Sequence, residues 1–384
     1  MIYYSGIGGS MNKNSKRPLI FENKYRSGMC QPYEAIVICL GYALIPLVDK
    51  EKGAPLFEED NKCRDAIEKE YGIILPRILF TDYEYLPPTG YCIYIYGDKV
   101  AGYELKEGHL LCIDTGHVEE PVDISSFERT KDPAYDLEAF WVPTDKKREL
   151  ENYNYTCVEP ATIIGVHLRK VIQDNFKKIV NQRFVNELIN RQRSINPDVI
   201  DNLLLKQEFP ISTLKMILCQ LLMEDVSVCG LTNILEAISD YYSAGEKDMF
   251  HLIEKVRLTI AERIIKKYAD DNNNVYVINV SRKMTEFLKE HIYYPESKIE
   301  HPYFCFEKGG DKKLMEKVSS AIHVLIEKNY PFVIFCSNAI RSTLSDYLRR
   351  VGFNGMRCIS YEEADVTRNQ FKFKIEVEIK LDDE

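Results

Sequence analysis

At 384 residues, with 45% hydrophobic and 11% aromatic side chains, the chain has the composition of a globular protein of roughly two to four small domains. Its net charge of −9 disfavours nucleic acid and anionic membrane surfaces, since both reward a strongly basic face. The 11 cysteines are scattered, show no zinc-type spacing and sit mostly in apolar runs such as AIVICL (Ala35–Leu40). That usage predicts reduced core thiols in a cytosolic setting, and no metal.

Residues 1–30 are polar and glycine-containing, and read as a tail or linker. Their GIGGS (Gly6–Ser10) lacks the GK[ST] ending of a phosphate loop, so no nucleotide cofactor is expected. The longest uncharged apolar run, Ala35–Val48, is interrupted by Gly41 and Pro46 and is too short to span a bilayer. The sequence thus predicts a soluble chain with no direct membrane insertion. From Glu34 a buried strand, a turn near Gly41-Tyr42 and a second short strand are expected. A helix over 57–71 ends at Gly72. Strands are expected next at 73–80, 90–96, 100–105 and 109–113, with the turn Leu86-Pro87-Pro88-Thr89 among them. The segment Lys131–Trp141 (KDPAYDLEAFW) closes this hairpin-rich region and carries the single tryptophan.

Residues 156–182 turn helical. Two amphipathic helices with a short connection come next, one with Ser212 and one with Ser227 as N-cap candidates. Their helix-turn-helix character raises DNA binding, but between Ser227 and Tyr242 there is no Lys or Arg to aim at bases or phosphates. A helix over 248–268 completes this part. A polar linker at 269–274 precedes a strand at 275–280, helices at 282–292 and 312–328, strands at 331–336 and 356–360, and a helix capped by Asn338. Phe371, Phe373, Ile375, Val377 and Ile379 alternate with charged residues, the pattern of a half-buried edge strand. The fold class is α+β in four small subdomains: two α+β, one helical, and a C-terminal α/β sandwich.

Catalytic chemistry finds little footing. Cys157, Glu159 and His167 are close in sequence, yet no nucleophile elbow accompanies them. Cys157 reads as a core thiol and His167 as a helix-surface residue. The seven histidines form no i, i+4 metal pair. The expectation is a protein-binding chain, not an enzyme.

Several motifs then bring a family into view. They are LGYALIPLVD (Leu40–Asp49); Leu86-Pro87-Pro88 with Tyr91; Asp132-Pro133-Ala134-Tyr135 with Ala139-Phe140-Trp141; Glu159-Pro160-Ala161-Thr162 with His167-Leu168; and LLMEDVSVCGLTNILEA (Leu221–Ala237). In order and spacing, from about Glu34 onward, the chain resembles the cytoplasmic part of the FHIPEP family, the flagellar FlhA-type and virulence SctV-type export gates of type III secretion. Residues 1–30 match nothing in it, and its membrane half is missing. The resemblance implies a first domain at 31–89 plus 143–179, a β-rich domain inserted at 90–142, a helical domain at 180–268 and an α/β domain at 269–384. It further implies a nonameric ring, export chaperones and secreted substrates as partners beside other export-apparatus proteins, and a cytoplasmic location at the inner face of the membrane. The family's docking positions fall on Asp132, Pro133, Tyr135 and Val166. Here Val166 replaces a family Thr, Cys92 an Arg, and Cys229-Gly230-Leu231-Thr232-Asn233 an R-D-L-R-T run. The alternative is a stand-alone adaptor that keeps the fold outside the secretion machine.

Overall fold

The computed structural model describes residues 34–114, 118, 123–297, 299–307, 309–331, 333–353 and 355–381. The expected tail at 1–30, with its GIGGS, lies outside the described residues, as do Cys30 and His117. The described residues fall into two compact units that divide between Ile179 and Val180.

The first unit holds β1 (Ile36–Leu40), α1 (Pro55–Tyr71), β2 (Ile78–Asp82), β3 (Gly90–Ile95), β4 (Asp98–Glu104), β5 (His109–Ile113), β6 (Glu128–Lys131), β7 (Glu138–Pro143), α2 (Lys147–Glu151), β8 (Thr156–Val158), α3 (Pro160–Asp174) and α4 (Phe176–Ile179). The unbroken apolar run of β1 is buried along its whole length because the strand lies inside a sheet of order β2-β1-β3-β4. It pairs parallel with β2 and antiparallel with β3. Beyond it the chain forms a 3-10 helix at Tyr42–Val48 instead of the expected second strand. Pro46 has no N–H to give a ladder, and the N–H groups of Gly41 and Ala43 donate to the carbonyls of Gly90 and Pro88 at 2.8 and 2.9 Å. A Cβ at Gly41 would sit 2.1 Å from the Pro87 carbonyl oxygen, so only glycine allows this crossing.

The insert expected at 90–142 is corrected by the strand pairing. β3 and β4 form a hairpin belonging to the first sheet, turned through Tyr96 and Gly97 at φ 47° and 85°. Every residue of β3 is buried, because it has neighbours on both edges. The second sheet begins at β5 and has the order β6-β7-β5-β8, so it reaches past residue 142 to Val158. Phe127 stacks on Phe140, and Tyr155 meets Phe140 edge-on, in this sheet's own core.

The second unit opens with helices α5 (Gln182–Ile195), α6 (Pro197–Asp201), α7 (Ile211–Met223), α8 (Leu231–Ser243), α9 (Met249–Thr259) and α10 (Ala261–Lys266). The N-caps of α7 and α8 are Pro210 and Gly230, not Ser212 and Ser227. The Ser227 hydroxyl instead accepts from the Cys229 N–H inside the loop. The helix expected over 248–268 breaks at Ile260. The remainder is β9 (Asn274–Val280), α11 (Arg282–Glu290), the ribbon β10 (Ile292–Tyr293) and β11 (Tyr303–Phe304), α12 (Gly310–Glu327), β12 (Val333–Cys336), α13 (Asn338–Arg350), β13 (Arg357–Ser360), α14 (Tyr361–Val366) and β14 (Lys372–Ile379). Its parallel sheet has the order β13-β12-β9-β14, with β14 at the edge. A register shift between Ile375 and Val377 breaks the strict alternation read from the sequence and leaves Ile375 exposed. Ser337, not Asn338, caps α13.

A buried ion cluster joins the helical and α/β parts of this unit. Arg341 on α13 donates to both oxygens of Glu254 on α9 and, at 2.6 Å, to Glu224 at the end of α7. Arg257 on α9 reaches Glu224 at 2.8 Å and Glu363 on α14 at 2.9 Å. Burial would push the Glu224 carboxyl up, but two guanidiniums outweigh it and hold it down at about 2. Glu254 has chiefly Arg341 to oppose its desolvation and Glu224 as a repelling neighbour, and its carboxyl is pushed up.

This cluster sets two expected outcomes. Arg341→Met strands two buried carboxylates and is expected to cost about 3–5 kcal/mol in urea unfolding monitored by circular dichroism. The folded-state value at Glu224 lies below the usual 4.5, so its contribution is complete above 4.5 and is lost as pH falls toward about 2. Glu224→Gln should therefore flatten the stability profile across that acid window, as read from unfolding midpoints at successive pH values.

Candidate functional site

The β6–β7 hairpin closes through Asp132. Its N–H donates to the Leu137 carbonyl at 2.8 Å, and its own carbonyl accepts from Asp136 N–H at 3.0 Å. The buried carboxylate Oδ2 accepts from the N–H groups of Ala134 at 3.1 Å and Tyr135 at 2.7 Å. This is the local chemistry for which Asp is favoured at turns, and Pro133 fixes the next φ. Lys131 pairs with Asp136, which takes a φ of 59°. Asp132 therefore commits its acceptor to the turn, and the turn holds the hairpin tip outward. Tyr135 is 54% exposed and Leu137 47%.

The other sequence-derived position, Val166, lies on α3. Val166 is 38% exposed on it, and Arg169, three residues on and so on the same face, pairs with Glu70 of α1 at 2.6 Å. The Tyr135 phenol is raised first by partial burial. Arg169 pulls against that rise, while Asp132, Asp174 and Glu70 add to it. Tyr135 thus lies within electrostatic reach of Arg169 on α3 and of Glu70 on α1. Gly165 sets how α3 meets α1, since a Cβ there would lie 2.8 Å from the Glu59 Cβ.

In the buried interior, Tyr91 and His167 lie 2.7 Å apart, Oη to Nδ1. Burial holds the Tyr91 phenol protonated and depresses His167 below 6.5, with Asp132 and Asp174 only partly opposing. Tyr91 and neutral His167 thus share this hydrogen bond with no charge on either ring. The expected helix-surface position of His167 is thus corrected: it is 6% exposed. Glu159 pairs with Lys147, and Cys157 lies against Cys112, so Cys157, Glu159 and His167 do not assemble into a nucleophile–base set. Among the described residues, no three His, Cys, Asp or Glu gather as a metal site.

Trp141 is 5% exposed on β7, opposite Leu111, with its ring near that of Tyr103. The Tyr103 hydroxyl in turn donates to the Lys131 carbonyl at 2.8 Å and ties the first sheet to the base of the hairpin. The four sequence-derived positions therefore separate by duty. Asp132 and Pro133 shape the turn, whereas Tyr135 and Val166 face outward. Leu137 and Arg169 were not foreseen. Leu137 is legible only as a second apolar residue placed just past the turn, and Arg169 only as the i+3 neighbour of Val166.

The sequence profile of the FHIPEP family matches residues 10–369. The chain belongs to the FHIPEP family. The match begins well before Glu34, which corrects the expectation that residues 1–30 resemble nothing in it. The flagellar biosynthesis protein FlhA of Treponema pallidum is 31% identical over 318 residues, 83% of this chain and 44% of that protein. The chain thus spans less than half the length of that relative. Among solved structures, the fold is similar to the CdsV protein of Chlamydia pneumoniae, with a TM-score of 0.75 at 20% identity over 90% of this chain and 97% of that one. CdsV is also solved in complex with CdsO. The nonameric SctV-C of EPEC has a TM-score of 0.72 at 17% identity, covering 91% of this chain and 100% of that one. No helix among the described residues is long and apolar enough to cross a membrane.

Site and core separate by substitution. Tyr135→Ala should leave stability within about 0.5 kcal/mol, Asp132→Ala should cost about 1–3 kcal/mol by stranding turn N–H groups, and Trp141→Ala about 3–5 kcal/mol. Thermal and urea unfolding of the three variants checks the order.

Proposed function

We propose that the chain is the cargo-receiving cytoplasmic part of a type III export gate, flagellar or virulence, that docks export chaperone–substrate complexes. The observation that carries this reading is the exposed set of Tyr135, Leu137 and Val166, on a turn whose Asp132 and Ala134 are buried and on a helix whose flanking Gly165 and His167 are buried. Apolar side chains held outward at no cost to the core are what a protein-recognition surface needs. The Asp132 turn fixes the Tyr135 backbone in advance, so little ordering accompanies binding. Membership of the family and the nonameric and CdsO-bound neighbours support two further parts of the reading, a ring of copies and contacts with other export-apparatus proteins.

The test is titration calorimetry of the chain with the chaperone–substrate complexes of its own host, together with sedimentation analysis of its assembly. Tyr135→Ala and Val166→Asp are each expected to weaken binding about tenfold or more with unfolding midpoints unchanged. Parent-like affinity in both variants would place docking elsewhere. Failure of the parent chain to bind any export component would favour the stand-alone adaptor.

A further inference from the structure

Cys112 on β5 and Cys157 on β8 stand directly opposite each other in an antiparallel pair, and their sulfurs are 3.0 Å apart. Opposed residues in such a ladder hold their Cα atoms about 4.5–5.5 Å apart, inside the span that a disulfide bridges, and the bond itself needs about 2.05 Å. Closing the pair therefore asks for about 1 Å of sulfur movement and no change of register. The two thiols are not equivalent. Cys112 is fully buried, while Cys157 is half-exposed. The Cys112 hydrogen bond lowers the Cys157 thiol, with Lys147 adding to that and burial and Glu151 opposing it. The same hydrogen bond and burial push Cys112 up. One thiol is thus reachable and acidified, and the other is sealed directly behind it.

Among the described residues, no other neighbouring cysteine pair shows this asymmetry. Cys39 and Cys92 are opposed in the same way on β1 and β3, but both are buried. Cys336 and Cys358 neighbour one another in the second unit, and both are buried. Cys305 is exposed on its own loop. Neither Cys112 nor Cys157 is among the residues of the proposed docking surface.

We propose that Cys112 and Cys157 form a reversible disulfide site, closed by exchange with a low-molecular-weight disulfide. Cys157 gives its proton to solvent, and the thiolate attacks one sulfur of the small disulfide. The S–S bond of the reagent breaks, a mixed disulfide forms on Cys157, and one thiolate leaves. Cys112 then loses its proton and attacks the Cys157 sulfur, expelling the second thiolate. Two protein thiols are oxidised by two electrons, and one small disulfide is reduced to two thiols, which take up the two protons. The crosslink ties β8, which leads into α3, to the inner strand β5 of the second sheet.

The experiment is incubation of the reduced full chain with oxidised glutathione, quenching with N-ethylmaleimide, and non-reducing peptide mapping by mass spectrometry. The expected result is a Cys112–Cys157 crosslink that dithiothreitol reverses, with Cys39 and Cys92 still reduced and Cys305 scored separately as a glutathione adduct. Cys112→Ser should trap Cys157 as a lasting glutathione adduct, because the resolving thiol is gone. Cys157→Ser, at a half-exposed position, should leave Cys112 unmodified, and it carries the test even where the buried serine disturbs folding. The proposal is overturned if the parent chain keeps Cys157 reduced or stops at its mixed disulfide. A Cys39–Cys92 crosslink forming as fast as Cys112–Cys157 also overturns it.

Discussion

A polar or charged group taken out of water must find its partner inside the protein, and this constraint organises both units. In the second unit it is met by charge. Three carboxylates, Glu224, Glu254 and Glu363, face two guanidiniums, Arg257 and Arg341, all of them buried. The imbalance is settled unevenly. Glu224 touches both arginines and stays ionised, while Glu254 is the member that burial pushes toward its neutral form. Such a cluster adds little net stability compared with apolar packing of the same volume, but it is intolerant of losing one member. It acts as a positional lock: α7, α9, α13 and α14 each supply or adjoin a member, so the helical and α/β parts have one way to fit.

In the first unit the same constraint is met by short-range hydrogen bonds. Asp132 caps its own turn, Tyr91 and His167 share a hydrogen bond, and the Gly41 and Ala43 N–H groups donate to the carbonyls of Gly90 and Pro88. This explains why separate motifs in the sequence belong together. The Leu-Gly-Tyr stretch at 40–42 and the Leu-Pro-Pro stretch at 86–88 form two sides of one backbone crossing, and the glycine is there because a Cβ would strike a carbonyl. The motifs are mainly instructions for turns and close approaches. What they leave exposed is a smaller set.

The apolar periodicities made β1, α1, α3, α7, α8 and the edge strand β14 legible, because those elements bury one face or both against their own neighbours. The insert boundary was not legible. Nothing in the letters of Gly90–Glu104 says that this hairpin pairs with β1 rather than with β7, since pairing partners are non-local. His167 was misjudged for a related reason: its hydrogen-bond partner, Tyr91, is 76 residues away. Arg257 and Arg341 look like ordinary helix-surface arginines in sequence, and only the meeting of four helices reveals them as interior. Ser212, Ser227 and Asn338 are good caps by type, yet proline and glycine geometry or an adjacent serine took the position. At the candidate site, Tyr135 was legible as the aromatic beside a Pro turn, while Leu137 and Arg169 depend on where the hairpin leans.

Val166 sharpens what the proposed docking surface would recognise. By the resemblance read from the sequence, the matching family position is a Thr, whose hydroxyl offers both a donor and an acceptor. Valine keeps the shape and removes the hydrogen bond, so a partner that brings a polar group to this spot would leave it unpaired on desolvation, at a cost of about 1–3 kcal/mol. A partner that brings a methyl or an aromatic edge meets no such cost and gains from Tyr135 and Leu137 as well. If docking occurs here as proposed, discrimination rests on apolar fit around Tyr135, with the Arg169–Glu70 pair as a polar rim that excludes badly placed charge.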